Sequence, residues 1–128
     1  MPDLNGSFKV AGFDGLKAVL DKFGVPEEKR DPAKLQGATV TIKQDGNNFA
    51  ITTTGGLGQV GTNTFSVPGP YSTELFGRAV KGNSAWEGDA LVMRGEGGAV
   101  MKREIVGNQL IYTVEFGGVS GKIMMDRA

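Results

Sequence analysis

Two residue types are absent from this chain, cysteine and histidine. Without cysteine, disulfides, thiolate nucleophiles and zinc–thiolate sites are excluded. Without histidine, Ser-His and Cys-His catalysis and imidazole metal sites are excluded as well. The acid–base groups that remain are carboxylates, lysines and tyrosines, and no paired set of them converges on one predicted face. The sequence therefore favours a binding protein over an enzyme.

The chain also lacks an excess of charge and any long apolar run. Its 14 basic residues balance 14 acidic ones, and they form no basic block, so binding of nucleic acid by bulk electrostatics is not expected. No apolar run approaches the length of a membrane span. The first residues do not show the charged and then apolar pattern of a secretory signal. Together with the absence of cysteine, this favours the cytoplasm.

Glycine, by contrast, is abundant, with 21 residues among 128. The glycines recur at turn-like positions roughly ten residues apart, which is typical of a meander of short antiparallel strands in a sandwich or barrel. The length suits one domain with a core of its own, so residues 1–128 are expected to form a single domain. Before the last part of the chain, alternation and turn signals predict seven strands, at residues 4–10, 39–44, 48–54, 59–67, 71–75, 78–86 and 90–94.

A pair of helices is predicted after the first strand. Apolar residues at helical spacing run from Phe13 to Phe23, with Asp14 as the N-cap and Gly24 as the C-terminal stop. Pro26, followed by two acidic residues, is typical of the start of a second helix. Basic side chains on this pair suit either a solvated face or transient contact with anionic membranes, and they are Lys17, Lys22, Lys29, Arg30 and Lys34.

One motif matches the dinucleotide fingerprint G-x-G-x-x-G, at residues 56–61. The fingerprint requires a helix to begin there, because the helix N-terminus holds the pyrophosphate. The residues that follow are typical of a strand, and no βαβ pattern surrounds them. The motif is therefore interpreted as a turn, and no cofactor is expected.

The last part of the chain, residues 99–125, is predicted to be a three-stranded meander around one arginine. Two turn signals divide it, Gly107-Asn108 and Gly117-Gly118. Counting outward from these turns sets Arg103 opposite Tyr112 and Tyr112 opposite Ile123, in one row on the apolar face. A guanidinium keeps its charge in a protein, and burying it unpaired is costly. Either an acid of this chain or the acid of a ligand is expected to meet it.

Five segments, in chain order, form a set that covers essentially the whole chain. They are residues 4–10, with Phe8 where a tryptophan is usual; Leu16, Val19, Leu20 and Phe23-Gly24-Val25; Arg30; Phe65 and Tyr71; and residues 102–108. This set resembles the intracellular lipid-binding protein family, the fatty-acid-binding and cellular retinoid-binding proteins. The resemblance implies a mainly β fold, a ten-stranded antiparallel up-and-down β-barrel (a clam) capped by a helix-turn-helix. It also implies a monomeric carrier of a fatty acid or another amphipathic lipid.

The family resemblance carries over to the site only in part. Family members that bind fatty acids usually hold the carboxylate with an arginine on strand H and an Arg-x-Tyr pair on the last strand. Arg103 matches the first, whereas Ile123 and Met125 occupy the other two positions. The Tyr112 hydroxyl is expected to replace the lost tyrosine in part. Because a single anchor discriminates poorly, loose selection among acid, alcohol and amide heads is expected.

Further lining of the ligand site is expected from apolar residues, which are Met101, Val114, Leu16, Leu20 and Leu57, the last at the position of a family gate residue. Two alternatives to a lipid carrier stay open. If Arg103 is paired internally and side chains fill the cavity, the chain is a structural or partner-binding barrel without a dedicated ligand. Barrels of this general kind also occasionally carry out isomerase chemistry, the less favoured alternative here.

Overall fold

The structure, a computed structural model, describes residues 3–24, 38–54, 61–75 and 78–128. Within these residues the elements are β1 (Gly6–Asp14), α1 (Leu16–Phe23), β2 (Thr39–Asp45), β3 (Asn48–Thr54), β4 (Gly61–Ser66), β5 (Gly69–Leu75), β6 (Arg78–Glu87), β7 (Ala90–Gly95), β8 (Val100–Val106), β9 (Gln109–Phe116) and β10 (Val119–Arg127). A short 3-10 turn, Glu96–Gly98, joins β7 to β8. Among the described residues, no helix is long and apolar enough to cross a bilayer.

The ten strands form one antiparallel sheet in which β1 pairs with both β2 and β10. The sheet curls round, so that its two edge strands, β4 and β5, lie against each other. The predicted ten-stranded antiparallel barrel is confirmed in this nearly closed form. The second helix of the predicted cap lies outside the described residues.

A buried serine ties the two edge strands together. Ser84 on β6 is 2% exposed. Its hydroxyl donates to the carbonyl of Gly69 at 2.9 Å, and it lies 3.2 Å from the carbonyl oxygen of Ser66. These carbonyls belong to the start of β5 and the end of β4. The hydroxyl thus provides a hydrogen bond where the described edge strands share no ladder.

The start of α1 differs from the sequence prediction. Phe13 and Asp14 belong to β1, where they pair with Ile123 and Lys122 of β10 beyond a bulge. The N-cap is Gly15, in the left-handed conformation at φ 68° and without a side-chain cap. Pairing with β10 satisfies the backbone groups of these residues, and this outweighs the local helical spacing. Gly24 ends the helix at φ 73°, as predicted.

The helix packs on the inner side of β10 and β9. Leu16, Val19 and Leu20 are each at most 1% exposed. The close approach depends on Gly121, because a Cβ at that position would lie 2.8 Å from the Cα of Leu16. A glycine on β10 therefore allows the helix to close this end of the barrel.

Candidate functional site

The predicted row across the meander is confirmed and extends by one strand. Arg103 on β8 pairs with Tyr112 on β9, and Tyr112 pairs with Ile123 on β10. On its other side, Arg103 pairs with Leu91 of β7. Ile123, Tyr112 and Leu91 are buried, and Arg103 is partly buried. Because residues of one row share a face, the arginine lies on the interior face of the barrel.

The predicted apolar lining is buried around this row. The pairing of Met101 with Val114 is confirmed, as is that of Met125 with Leu110. One hydrophobic cluster contains the predicted residues Met101, Val114, Ile123, Met125, Leu16 and Leu20, together with Tyr112. Leu57 lies outside the described residues. The structure thus brings the described members of the set together in one interior.

Arg103 is held by an aromatic ring and a sulfur atom. Its Cζ lies 4.3 Å from the centroid of the Tyr112 ring. Its Nη1 donates to the Sδ of Met93, 3.1 Å away on the neighbouring strand. Burial raises the pKa of Tyr112, and the positive charge of Arg103 opposes this rise. The ring attracts a cation and the thioether is a weak acceptor, so neither neutralises the charge.

No carboxylate of the described residues lies within ion-pair distance of Arg103. The ion pairs found there join Arg94 to Glu87 and Lys102 to Glu104, and all four side chains are at least 33% exposed. A guanidinium has five N–H donors and no acceptor. The barrel wall therefore carries an interior cation with donors to spare.

A second polar group, Tyr71 on β5, was not among the predicted site residues. Its side chain is 5% exposed, and its hydroxyl has no hydrogen-bond partner in the described part of the protein. Burial, helped by nearby Tyr112, raises the pKa of Tyr71 to about 12, while the charge of Arg103 opposes the shift. Tyr71 therefore adds a buried hydroxyl without a partner among the described residues to the interior of the barrel.

A glycine on β7 makes room for the Tyr71 hydroxyl. Tyr71 pairs with Gly82 on β6, which pairs with Gly95 on β7. The Tyr71 hydroxyl lies 3.0 Å from the point that a Cβ at residue 95 would occupy. A buried tyrosine normally needs a partner for its hydroxyl, and this was the available sequence signal. Sequence alone did not show that Arg103 would reach Met93, which lies two residues along β7 from the glycine beside the Tyr71 hydroxyl.

An aromatic wall adjoins the polar residues. The ring centroids of Tyr71 and Phe65 are 6.5 Å apart, those of Phe65 and Phe49 5.4 Å, and those of Phe49 and Trp86 5.9 Å. Trp86 pairs with Leu91, the neighbour of Arg103. Among the described residues, the interior thus combines a continuous apolar surface with one cation, Arg103, and one hydroxyl without a partner, that of Tyr71. This combination suits an amphipathic molecule.

No protein-family model matches the chain. The chain is 30% identical to the intestinal fatty acid-binding protein of Mus musculus over 130 aligned residues. The alignment covers 92% of this chain and 93% of the mouse protein. It is 28% identical to the intestinal fatty acid-binding protein of Xenopus laevis, with 96% and 97% covered. Among solved structures, human cRBP IV superposes with a TM-score of 0.87 at 24% identity, with 100% of both chains covered. At that identity the structural likeness supports the fold alone.

Proposed function

This chain belongs to the intracellular lipid-binding protein family, and we propose that it is a carrier which binds a long-chain fatty acid inside the barrel. In this proposal Arg103 holds the carboxylate. The observation that carries it is the interior position of Arg103, with no carboxylate of the described residues in reach. The intestinal relatives, whose names specify fatty acids, support the choice of ligand.

A fatty acid matches both parts of this interior. Its carboxylate supplies the anion that Arg103 lacks, and a charge-assisted hydrogen bond between them is short and strong. Its tail gains about 0.8 kcal/mol for each methylene group that leaves water. The tail therefore provides most of the affinity, while Arg103 orients the head.

The same carrier is proposed to deliver its ligand by brief contact with membranes. It acts in the cytoplasm as a monomer and meets anionic membranes only in passing, through basic side chains of the helical region. Lys17 and Lys22 are exposed on α1 and are available for such contact.

The test replaces the interior arginine and compares it with an exterior one. Arg103→Leu is expected to weaken the binding of oleate by roughly 1.5–3 kcal/mol, the range for hydrogen bonds to charged groups. Isothermal titration calorimetry measures the affinity, and circular dichroism checks that the barrel persists. Because leucine replaces a partly buried cation, the fold should survive or gain stability.

Arg94→Leu is the matched control, because Arg94 lies on the adjacent strand and is 58% exposed. It is expected to leave oleate affinity unchanged. Equal oleate affinities of the wild type and Arg103→Leu would show that the head group binds elsewhere. The proposed role of Arg103 would then be wrong.

A further inference from the structure

Tyr71 has a hydrogen-bond donor that the described protein does not use. The side chain is 95% buried, since 5% of it is exposed, and its hydroxyl oxygen has no partner there. Buried hydroxyl groups are nearly always hydrogen-bonded, and leaving one unpaired is costly. A group retained in this condition is a candidate for contact with a ligand.

The two tyrosines of the interior differ in how they relate to Arg103. The guanidinium of Arg103 lies over the ring of Tyr112, with its Cζ 4.3 Å from the ring centroid. Tyr112 thus supports the arginine. The hydroxyl of Tyr71 has no partner among the described residues and remains available as a donor. The charge of Arg103 only opposes the rise in the pKa of Tyr71.

The backbone around Tyr71 is shaped to admit its hydroxyl. At residue 95 a Cβ would lie 2.5 Å from the Cγ1 of Val80 and 3.0 Å from the Tyr71 hydroxyl. Gly95 belongs to β7, which also supplies Leu91 and Met93, the two residues that touch or pair with Arg103. The Tyr71 hydroxyl and the Arg103 guanidinium therefore both lie against β7, beside residues 95 and 93.

We infer that Tyr71 donates its phenolic hydrogen to the ligand's head group alongside Arg103, which makes the site selective for a carboxylate over the matching alcohol. The inference rests on the proposed function. A carboxylate has two oxygens that only accept hydrogen bonds, one for each donor. An alcohol has one uncharged oxygen and a hydrogen of its own, and the guanidinium offers no acceptor for that hydrogen.

The protonation of Tyr71 agrees with this role. Burial raises its pKa to about 12, so the phenol keeps its hydrogen at neutral pH. Arg103 alone would select loosely among acid, alcohol and amide heads, and Tyr71 as a second donor changes this expectation. An alcohol head leaves one of the two donors unpaired, so the preference for a carboxylate over an alcohol should increase.

The experiment measures how Tyr71→Phe changes binding of oleate and oleyl alcohol, each by displacement of a fluorescent fatty acid. The variant is expected to bind oleate about tenfold more weakly, which corresponds to about 1.4 kcal/mol. Affinity for oleyl alcohol should fall less than about threefold, because the alcohol has no charged carboxylate to accept a strong hydrogen bond from Tyr71. Ser72→Ala is the control, because this hydroxyl is next to Tyr71 on β5 but is exposed on the opposite face, so its ratio of oleate to alcohol affinity should stay within about twofold of the wild type.

Stability of the empty protein separates a ligand contact from a structural role. Tyr71→Phe removes an unpaired hydroxyl, so its urea midpoint should equal or exceed that of the wild type. A lower midpoint would mean that the hydroxyl has a partner in the protein, and the inference would be wrong.

The inference and the proposed function fail in different ways. If Arg103→Leu weakens oleate binding and Tyr71→Phe leaves the ratio of oleate to alcohol affinity unchanged, the role of Tyr71 is wrong and the carrier proposal stands. If the wild type binds neither oleate nor oleyl alcohol, both are wrong.

Discussion

The two faces of the wall formed by β7 to β10 treat charge differently. On the outer face Arg94 bonds Glu87, and the Nζ of Lys102 lies 3.9 Å from a carboxylate oxygen of Glu104. On the inner face Arg103 has an aromatic ring and a thioether beside it, and no carboxylate of the described residues. The outer charges, which water already screens, are paired with carboxylates of the protein. The charge of Arg103 lies on the inner face, where screening is weaker, and has no such partner among the described residues.

This difference indicates what each face is for. Exposed ion pairs contribute little to stability, so the outer pairs serve mainly as a polar surface. An interior cation without a carboxylate is unfavourable for the empty barrel, and such exceptions to good packing are expected at functional sites. Substitutions on one face at a time test whether the two faces have these different roles.

The largest effect is expected from a cavity on the inner face. Leu110, on β9, is 0% exposed. Leu110→Ala should lower the free energy of unfolding by about 2–5 kcal/mol, because it loses burial and leaves a void. Lys102→Ala, on the outer face of β8, should change it by no more than about 0.5 kcal/mol. Urea unfolding followed by Trp86 fluorescence measures both, and similar losses would contradict the assignment of the two faces.

A smaller loss is expected where the helix rests on the inner face. A Cβ at Gly121 would meet the Cα and N of Leu16 at 2.8 and 3.0 Å. Because backbone atoms cannot rotate away, Gly121→Ala should cost about 1–3 kcal/mol, the usual range for overpacking. Ser120→Ala, the exposed neighbour, is the control. If the two variants unfold at the same urea concentration, α1 does not depend on this glycine.

The smallest effect is expected from the titration of the inner tyrosines. The pKa of Tyr71 rises from 10.0 to about 12 in the folded protein. Between these pH values the unfolded chain releases the phenolic proton and the folded protein retains it, so stability falls as the pH rises. Tyr112, whose pKa burial also raises, acts in the same direction.

Tyr71→Phe should therefore lose less stability than the wild type over this range. Urea midpoints measured on either side of pH 10 give the two slopes. Parallel slopes would show that Tyr71 titrates alike in the folded and unfolded protein.

Sequence reasoning succeeded where a short turn joins two strands. The strand at residues 48–54 was predicted residue for residue, and so was the row of Arg103, Tyr112 and Ile123. A two-residue turn fixes the register of the strands it joins, so counting outward identifies every opposite pair. It failed at Phe13, where the local spacing suits a helix but a distant strand pairs with the backbone.

The interior position of Arg103 follows from local features of the sequence, because strand alternation and turn chemistry set which face each residue takes. The surroundings of Arg103, in contrast, depend on tertiary packing. Leu91 and Met93 reach the arginine through the pairing of β7 with β8, and the Tyr71 hydroxyl lies beside Gly95 on the same strand β7. These neighbours depend on how the sheet curls and on the space that a missing Cβ leaves. Both are properties of the packed barrel, which no local pattern encodes.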